Sequence, residues 1–300
     1  MNIRYSKLFK TPRKAIKHVL SAVYPVIIKI WPLPKVLSID ETLDKIIAEK
    51  LSIARFGDGE FLYMIDKLNL PFQKQESLLR KKLIGILKSD EPNVLVGLPI
   101  GYHSLRNLNK ESLKTWRSQI SWIYPRLKKH LDLSKPYYNA SMTRLYMDYE
   151  DKSDSSRLFT KVMQIWEGRH IALIEGEKSR LGAGNNLFEN AASVVRILGP
   201  AHNAYDKFQE LLQEAQTQPK HKLFLVAMGP TAKPLVFELA RQGFQAIDIG
   251  NVDIEYEWYL RGATEKIKIP GKYTSEAPGG RNVEDIVNEA YENQIIARVY

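Results

Sequence analysis

The sequence predicts an α/β fold of Rossmann-like type, a mostly parallel sheet flanked by helices, preceded by an N-terminal amphipathic appendage. Three observations predict it. Short apolar runs rich in β-branched residues alternate with longer helical stretches along the chain, the pattern of repeated βαβ units. Several of these runs end in glycine-containing turns that lead into helix starts. Apolar residues make up 44% of the 300, enough for a large core, and no low-complexity tract interrupts them.

The elements follow in order. Strands are expected at Leu51–Arg55, Val94–Leu98, Ile171–Ile174, Val194–Leu198, Leu223–Ala227 and Ala246–Ile249. Helices are expected at Thr42–Glu49, Gln75–Leu87, Ser112–Leu127, Ser155–Trp166, Asn186–Ala192, Ala204–Ala215 and Thr231–Gln242, with a closing helix over Val283–Ala297. Residues 37–300 read as one domain and residues 1–36 as a basic amphipathic segment.

The charge distribution supports that division. The formal net charge is +10, yet residues 1–35 carry eight basic side chains and no acidic one, the first acid being Asp40. Removing those eight leaves about +2 on the remaining 265 residues, too little for a nucleic-acid-binding body. The apolar stretch Val19–Ile28 is about half the length that spans a bilayer, and Pro25 is expected to interrupt it. The following WPLPKVLS offers no small-residue signal cleavage site. The segment therefore reads as an interfacial one, its apolar residues and Trp31 at the headgroup boundary and its cations toward anionic lipid. The plainer alternative is a helix packed on the protein's own body. No cysteine is present, which excludes disulfides and thiolate metal sites, and no histidine pair shows metal-ligand spacing.

Four segments carry candidate chemistry. Arg55-Phe56-Gly57-Asp58-Gly59-Glu60 leaves a strand, so two carboxylates stand at the edge of the sheet where α/β proteins bind ligands. Hard divalent cations take oxygen ligands and often use one or two carboxylates plus substrate phosphates. Arg55 can contact phosphate or hold a carboxylate. Alone, the segment reads first as an ordinary strand-to-helix turn with an acidic N-cap. Gly229-Pro230-Thr231 opens a helix whose free N–H groups suit an anion. Glu175 to Asn186 is a glycine-rich loop whose Glu175, Arg180, Gly182 and Asn185 suit hydroxyls, a base edge or phosphate; it is neither a dinucleotide fingerprint nor a Walker loop. Asp248 to Trp258 gathers Asp253, Glu255 and Glu257 with Tyr256 and Trp258, and one acid there can serve as a general base.

In their order along the chain these segments resemble the GT-D fold glycosyltransferases. The resemblance is carried by ARFGDGE at 54–60, EGEKSRLGAGNNLF at 175–188, GPAHNAYDKF at 199–208 and VAMGPTAKPLVFELARQGFQAIDIGNVDIEYEWYL at 226–260. It implies a nucleotide-sugar transferase with a DxE metal motif at Asp58 and Glu60, served by Mn2+ (or Mg2+). It also implies a UDP-sugar donor, usually UDP-glucose, and a bacterial surface glycan or glycoprotein glycan as acceptor. The donor would then lie near Arg55, Gly57, Glu175, Arg180, Gly182, Asn185, Gly229, Pro230, Thr231 and Asp253. Asn251 stands where the family pattern suggests histidine, so no proton transfer is assigned to it; the resemblance carries over no base, and among the acids of that segment Glu255 is the first choice, followed by Asp253 and Glu257. Together with the tail, this places the enzyme in the bacterial cytoplasm at the inner face of the membrane, acting on a lipid-linked polysaccharide or a glycoprotein glycan, with no nucleic-acid partner. The alternative is a non-catalytic nucleotide-sugar or glycan binding module.

Overall fold

The structure, a computed structural model, describes residues 10–285 and 288–300. The chain begins with α1 (Lys10–Ile30) and α2 (Ile39–Glu49), followed by β1 (Ser52–Arg55), α3 (Asp58–Ile65) and α4 (Ser77–Lys88). Next come β2 (Val94–Leu98), α5 (Lys110–Leu127), β3 (Tyr138–Asn139), α6 (Ser155–Met163), β4 (His170–Gly176) and β5 (Ser193–Gly199). The last part is α7 (Phe208–Gln216), β6 (Leu223–Ala227), α8 (Ala232–Arg241), β7 (Gln245–Asp248), α9 (Val252–Leu260), α10 (Glu289–Glu292) and β8 (Ile295–Arg298).

The strands form one eight-stranded sheet in the order β3-β2-β1-β7-β6-β4-β5-β8, with every pairing parallel. Parallel sheets are covered on both faces, and the middles of the inner strands are apolar for that reason, with polar residues such as Arg55, Glu175 and Asp248 near their carboxyl ends. Side chains alternate between the two faces with the period of a strand. Ala54, Val96, Ile174, Phe224 and Ala246 join the core that includes residues of α3, α4, α5, α7 and α8. Ile53, Leu95, Leu173, Leu225 and Ile247 join the opposite core with residues of α2, α6 and α9. The order reverses direction at β1 and β7, the topological switch point where α/β sheets open a crevice.

Local chemistry sets the helix starts. Ser38 and Glu41 close a capping box on α2, the serine hydroxyl accepting from the Glu41 N–H at 3.1 Å and the glutamate accepting from the Ser38 N–H at 2.7 Å. Glu60 does the same for α3, accepting from the Gly57 N–H at 2.9 Å.

Several expectations are corrected. Pro25 does not interrupt α1, which is a single 21-residue helix through it. The proline lies on the exposed side, where the hydrogen bond it forgoes is cheapest to lose. Tyr24 is buried, and Ile28, Trp31 and Val36 pack into the same core as α5, so this part of the appendage rests on the body. No helix among the described residues is long and apolar enough to cross a membrane. Asn186–Ala192 is a run of turns, not a helix. The closing helix over Val283–Ala297, of which residues 286 and 287 lie outside the described ones, is instead one turn capped by Asn288 and then strand β8 beside β5. The acidic segment after β7 is helix α9, with Asp253, Glu255 and Glu257 all buried.

Candidate active site

A cavity of about 770 Å³ opens at the carboxyl ends of β1, β2, β4, β6 and β7, the size range of small-molecule sites. Its floor is the switch point itself. The Arg55 main-chain N–H, its Nε and its Nη2 all donate to Asp248, the last at 3.2 Å, and Nη1 donates to the Ala140 carbonyl at 2.7 Å and to Thr143. Arg55 thus ties the ends of β1 and β7 to the segment after β3. Gly250, at φ +46°, allows this: a Cβ there would stand 2.2 Å from Arg55 Nη2.

Lys233 completes the floor. Its ammonium donates to Glu60 at 2.9 Å and to the Gly229 carbonyl at 3.2 Å, and pairs with Asp248 at 3.2 Å. Burial alone would lower the lysine pKa, but Asp248 and Glu60 outweigh it and hold the pKa above the ordinary value.

Asp58 is different. It is raised above the usual carboxylate range, first by burial and then by Glu60, with Arg144 opposing. Its Oδ2 accepts from Gln119 Nε2 of α5 at 2.8 Å, and among the described residues it is in no ion pair. A half-buried carboxylate in no ion pair among the described residues, facing a cleft, suits a hard cation. Among the described residues no group of three or more His, Asp or Glu side chains forms a metal cage. A cation here would draw Asp58, and Glu60 if Lys233 yields, and complete its oxygen shell from a bound diphosphate. The donor set fits that arrangement and not an all-protein site.

The opposite wall is a charged cluster. Arg144 pairs with Glu276 and Glu255, and Glu276 also meets Lys266 at 2.5 Å. Burial would raise Glu276, but Arg144 and Lys266 hold it down at about 2. Asn251 donates to Glu276 at 3.3 Å, so the residue at the expected histidine position has a positioning contact of its own.

The structure brings together only part of the predicted set. Arg55, Gly57, Asp58, Glu60 and Gly229 line the cleft. Pro230 and Thr231 do not; both are buried in the turn that starts α8. Glu175 is wholly buried and takes the Leu181 N–H at 2.8 Å, the Arg196 guanidinium and the Tyr291 hydroxyl. Arg180 donates to the Gly271 and Glu284 carbonyls, fastening the glycine-rich loop to the C-terminal segment. Asp253 accepts from Gly182 N–H at 2.9 Å and Asn185 at 2.7 Å, and pairs with Lys272 at 2.7 Å. These residues build the cleft wall from behind, leaving Lys178, Ser179 and Leu181 to face it.

Glu255, the expected base, is likewise wholly buried and outside the cleft lining. Its Oε2 accepts from the Tyr146 and Met147 N–H groups at 3.2 and 3.1 Å, and Arg144 lies 3.6 Å from Oε1. Burial pushes it up to about 7, Asp148 and Glu276 adding to the rise and Arg144 opposing it. A carboxyl whose folded pKa exceeds its unfolded 4.5 binds its proton more tightly in the folded state, so its contribution to stability fades as pH rises from about 4.5 to 7. Glu255→Gln is expected to flatten the fall in melting temperature across that window, as read by thermal unfolding from about pH 5 to pH 8.

Sequence reasoning missed Lys233, Arg144, Gln119 and Trp116, all of which line the cleft. Lys233 alone had a local signal: it lies four residues after Gly229, one helical turn, in the motif already singled out.

The sheet and its crevice define a Rossmann-like α/β protein with a mixed-charge ligand cleft at the switch point. The chain belongs to the glycosyltransferase GT-D fold family, whose sequence model matches residues 53–277. It is 34% identical over 268 residues to the probable glycosyl transferase Gly of Streptococcus gordonii, covering 88% of this chain and 39% of that protein. It is 35% identical over 266 residues to glycosyltransferase GlyD of Streptococcus pneumoniae serotype 4, covering 88% of this chain and 32% of the relative. The chain thus spans only about a third of the length of these curated relatives. Among solved structures, a glycosyltransferase of the domain of unknown function 1792 from Streptococcus sanguinis superposes with TM-score 0.84 at 33% identity, covering 89% of this chain and all of that one. Another structure of that domain, described as having a distinct glycosyltransferase fold, gives TM-score 0.84 at 35% identity over 95% of this chain and 99% of its own.

Proposed function

We propose that this protein transfers a hexose, glucose as first candidate, from a UDP-sugar to a bacterial surface glycan on a lipid or protein carrier, with Mn2+ or Mg2+ at Asp58 and Glu60. The observation that carries the reading is Asp58, a half-buried carboxylate with no ion-pair partner among the described residues, lining the cleft beside Glu60. In transfer, an acceptor hydroxyl bonds to the anomeric carbon, the bond from that carbon to the diphosphate breaks, and the hydroxyl proton leaves to a base. The bound cation would neutralise charge gathering on the diphosphate. The chain's own groups do the rest. Arg55, fixed by its bonds to Asp248, Ala140 and Thr143, holds the floor rigid. Lys233 supplies a second, preorganised positive charge in the first turn of α8. The segment 1–36 places the enzyme at the inner face of the membrane, where lipid-linked glycans are built.

The test is nucleotide release from a panel of UDP-, GDP- and TDP-sugars, with Mn2+ and with EDTA. Metal-dependent release of UDP from one hexose donor is expected. Metal-dependent UDP binding with no turnover, even with glycan acceptors supplied, would leave the binding-module reading; release without any metal requirement would contradict the metal role.

A further inference from the structure

Helix α1 has two apolar faces. One is used by the body: Tyr24 and Ile28 pack into the core, Arg117 of α5 lies 5.8 Å from the Tyr24 ring centroid, and Lys17 pairs with Glu111 of α5 at 2.5 Å. The other is open. Ile16, Val19, Val23, Val26 and Ile30 are 57%, 63%, 37%, 58% and 58% exposed. Their spacing of three and four residues sets them in one stripe, roughly 21 Å long at 1.5 Å per residue. A single exposed valine needs no explanation, but five large β-branched side chains in one line mark a contact surface.

That spacing is also a coiled-coil seam, so a second copy is the competing occupant. Charge decides between them. Residues 1–35 hold eight basic side chains and no acid. Two such helices side by side would bring like charge together with no acidic partner in either segment. An anionic lipid surface would instead attract both.

The position of α1 gives the surface a use. Its partner α5 forms one wall of the cleft through Trp116 and Gln119, and Glu111, the ion-pair partner of Lys17, lies on the same rim. We propose that the Ile16–Ile30 stripe lies in the headgroup boundary of an anionic bilayer, with the helix in the membrane plane, so that the α5 side of the cleft faces the surface from which a lipid-linked acceptor is reached. This deepens the membrane part of the proposed function and rests on it; UDP release in solution does not depend on it.

The experiment is co-sedimentation of the full chain with phosphatidylglycerol vesicles and with phosphatidylcholine vesicles, wild type against the double variant Val19→Asp/Val26→Asp. Both positions are exposed, so the fold and UDP release in solution are expected to persist. Wild type is expected to bind the anionic vesicles, more weakly as salt rises, and not the neutral ones, and the double variant to lose at least about tenfold in affinity. Equal binding by both proteins, or no binding by wild type, overturns the proposal. So does a wild-type dimer, seen by sedimentation velocity without lipid, that the double variant splits. Unchanged UDP release alongside lost vesicle binding separates this surface from the cleft chemistry; loss of both would show that the stripe holds the fold and would overturn the assignment.

Discussion

Asp58→Asn is expected to lower metal-dependent UDP release by about a thousandfold, equivalent to roughly 4 kcal/mol of transition-state stabilisation. The substitution keeps the shape of the side chain and leaves an oxygen to accept from Gln119. What it removes is a half-buried negative charge, for which no ion-pair partner exists among the described residues. Folding has to strip that charge of water, since both burial and Glu60 disfavour it. The variant should therefore melt no lower than wild type in EDTA, while losing any gain in melting temperature that Mn2+ gives wild type. Steady-state release and thermal unfolding with and without Mn2+ check both halves. A variant that releases UDP normally would remove Asp58 from the chemistry; one that is merely unfolded would make the carboxylate structural.

Lys272→Met should have the opposite signature, a large loss of stability with the donor site intact. Lys272 is 3% exposed and its ammonium meets Asp253 at 2.7 Å and Glu257 at 3.0 Å. Removing it leaves two buried carboxylates served, among the described residues, by Asn185, the Gly182 N–H and Arg261. Breaking a buried pair from one side costs roughly 3–5 kcal/mol, which for a chain of this size is about 10 °C in melting temperature. The KM for the donor should stay within a few-fold. A variant with unchanged melting temperature and a KM raised tenfold or more would mean that this network touches the donor, as its sequence motif alone suggests.

The contrast between these residues shows where sequence reading stops. Strands β2 and β6 were legible because burial on both faces makes them uniformly apolar: Val94–Leu98 and Leu223–Ala227 match to the residue. Strand β3 has two residues and β8 four half-buried or exposed ones, too short and too mixed to show a period. Helix α9 was hidden for an electrostatic reason. Asp253, Glu255 and Glu257 look like solvent-facing acids in the sequence, yet Lys272 and Arg144, distant along the chain, neutralise or orient them inside. The site divides the same way. Asp58 and Glu60 sit within one turn of each other, so a local motif shows them. Gln119 lies 61 residues from Asp58, and Lys233 lies 173 from Glu60. Only the sheet order, which sets β1 between β2 and β7, brings α5 and α8 with those partners to its carboxyl end.

The measurement that tests the account most directly is a calorimetric titration of the full chain with UDP, in Mn2+ and in EDTA, for wild type and Asp58→Asn. The cleft at the β1–β7 switch point predicts saturable binding by wild type in Mn2+, weakened at least about tenfold both by EDTA and by the substitution. Equal affinity in all four titrations would contradict the assignment of Asp58 to a metal-assisted diphosphate site, and absence of UDP binding in any of them would contradict the nucleotide-sugar reading of the cleft.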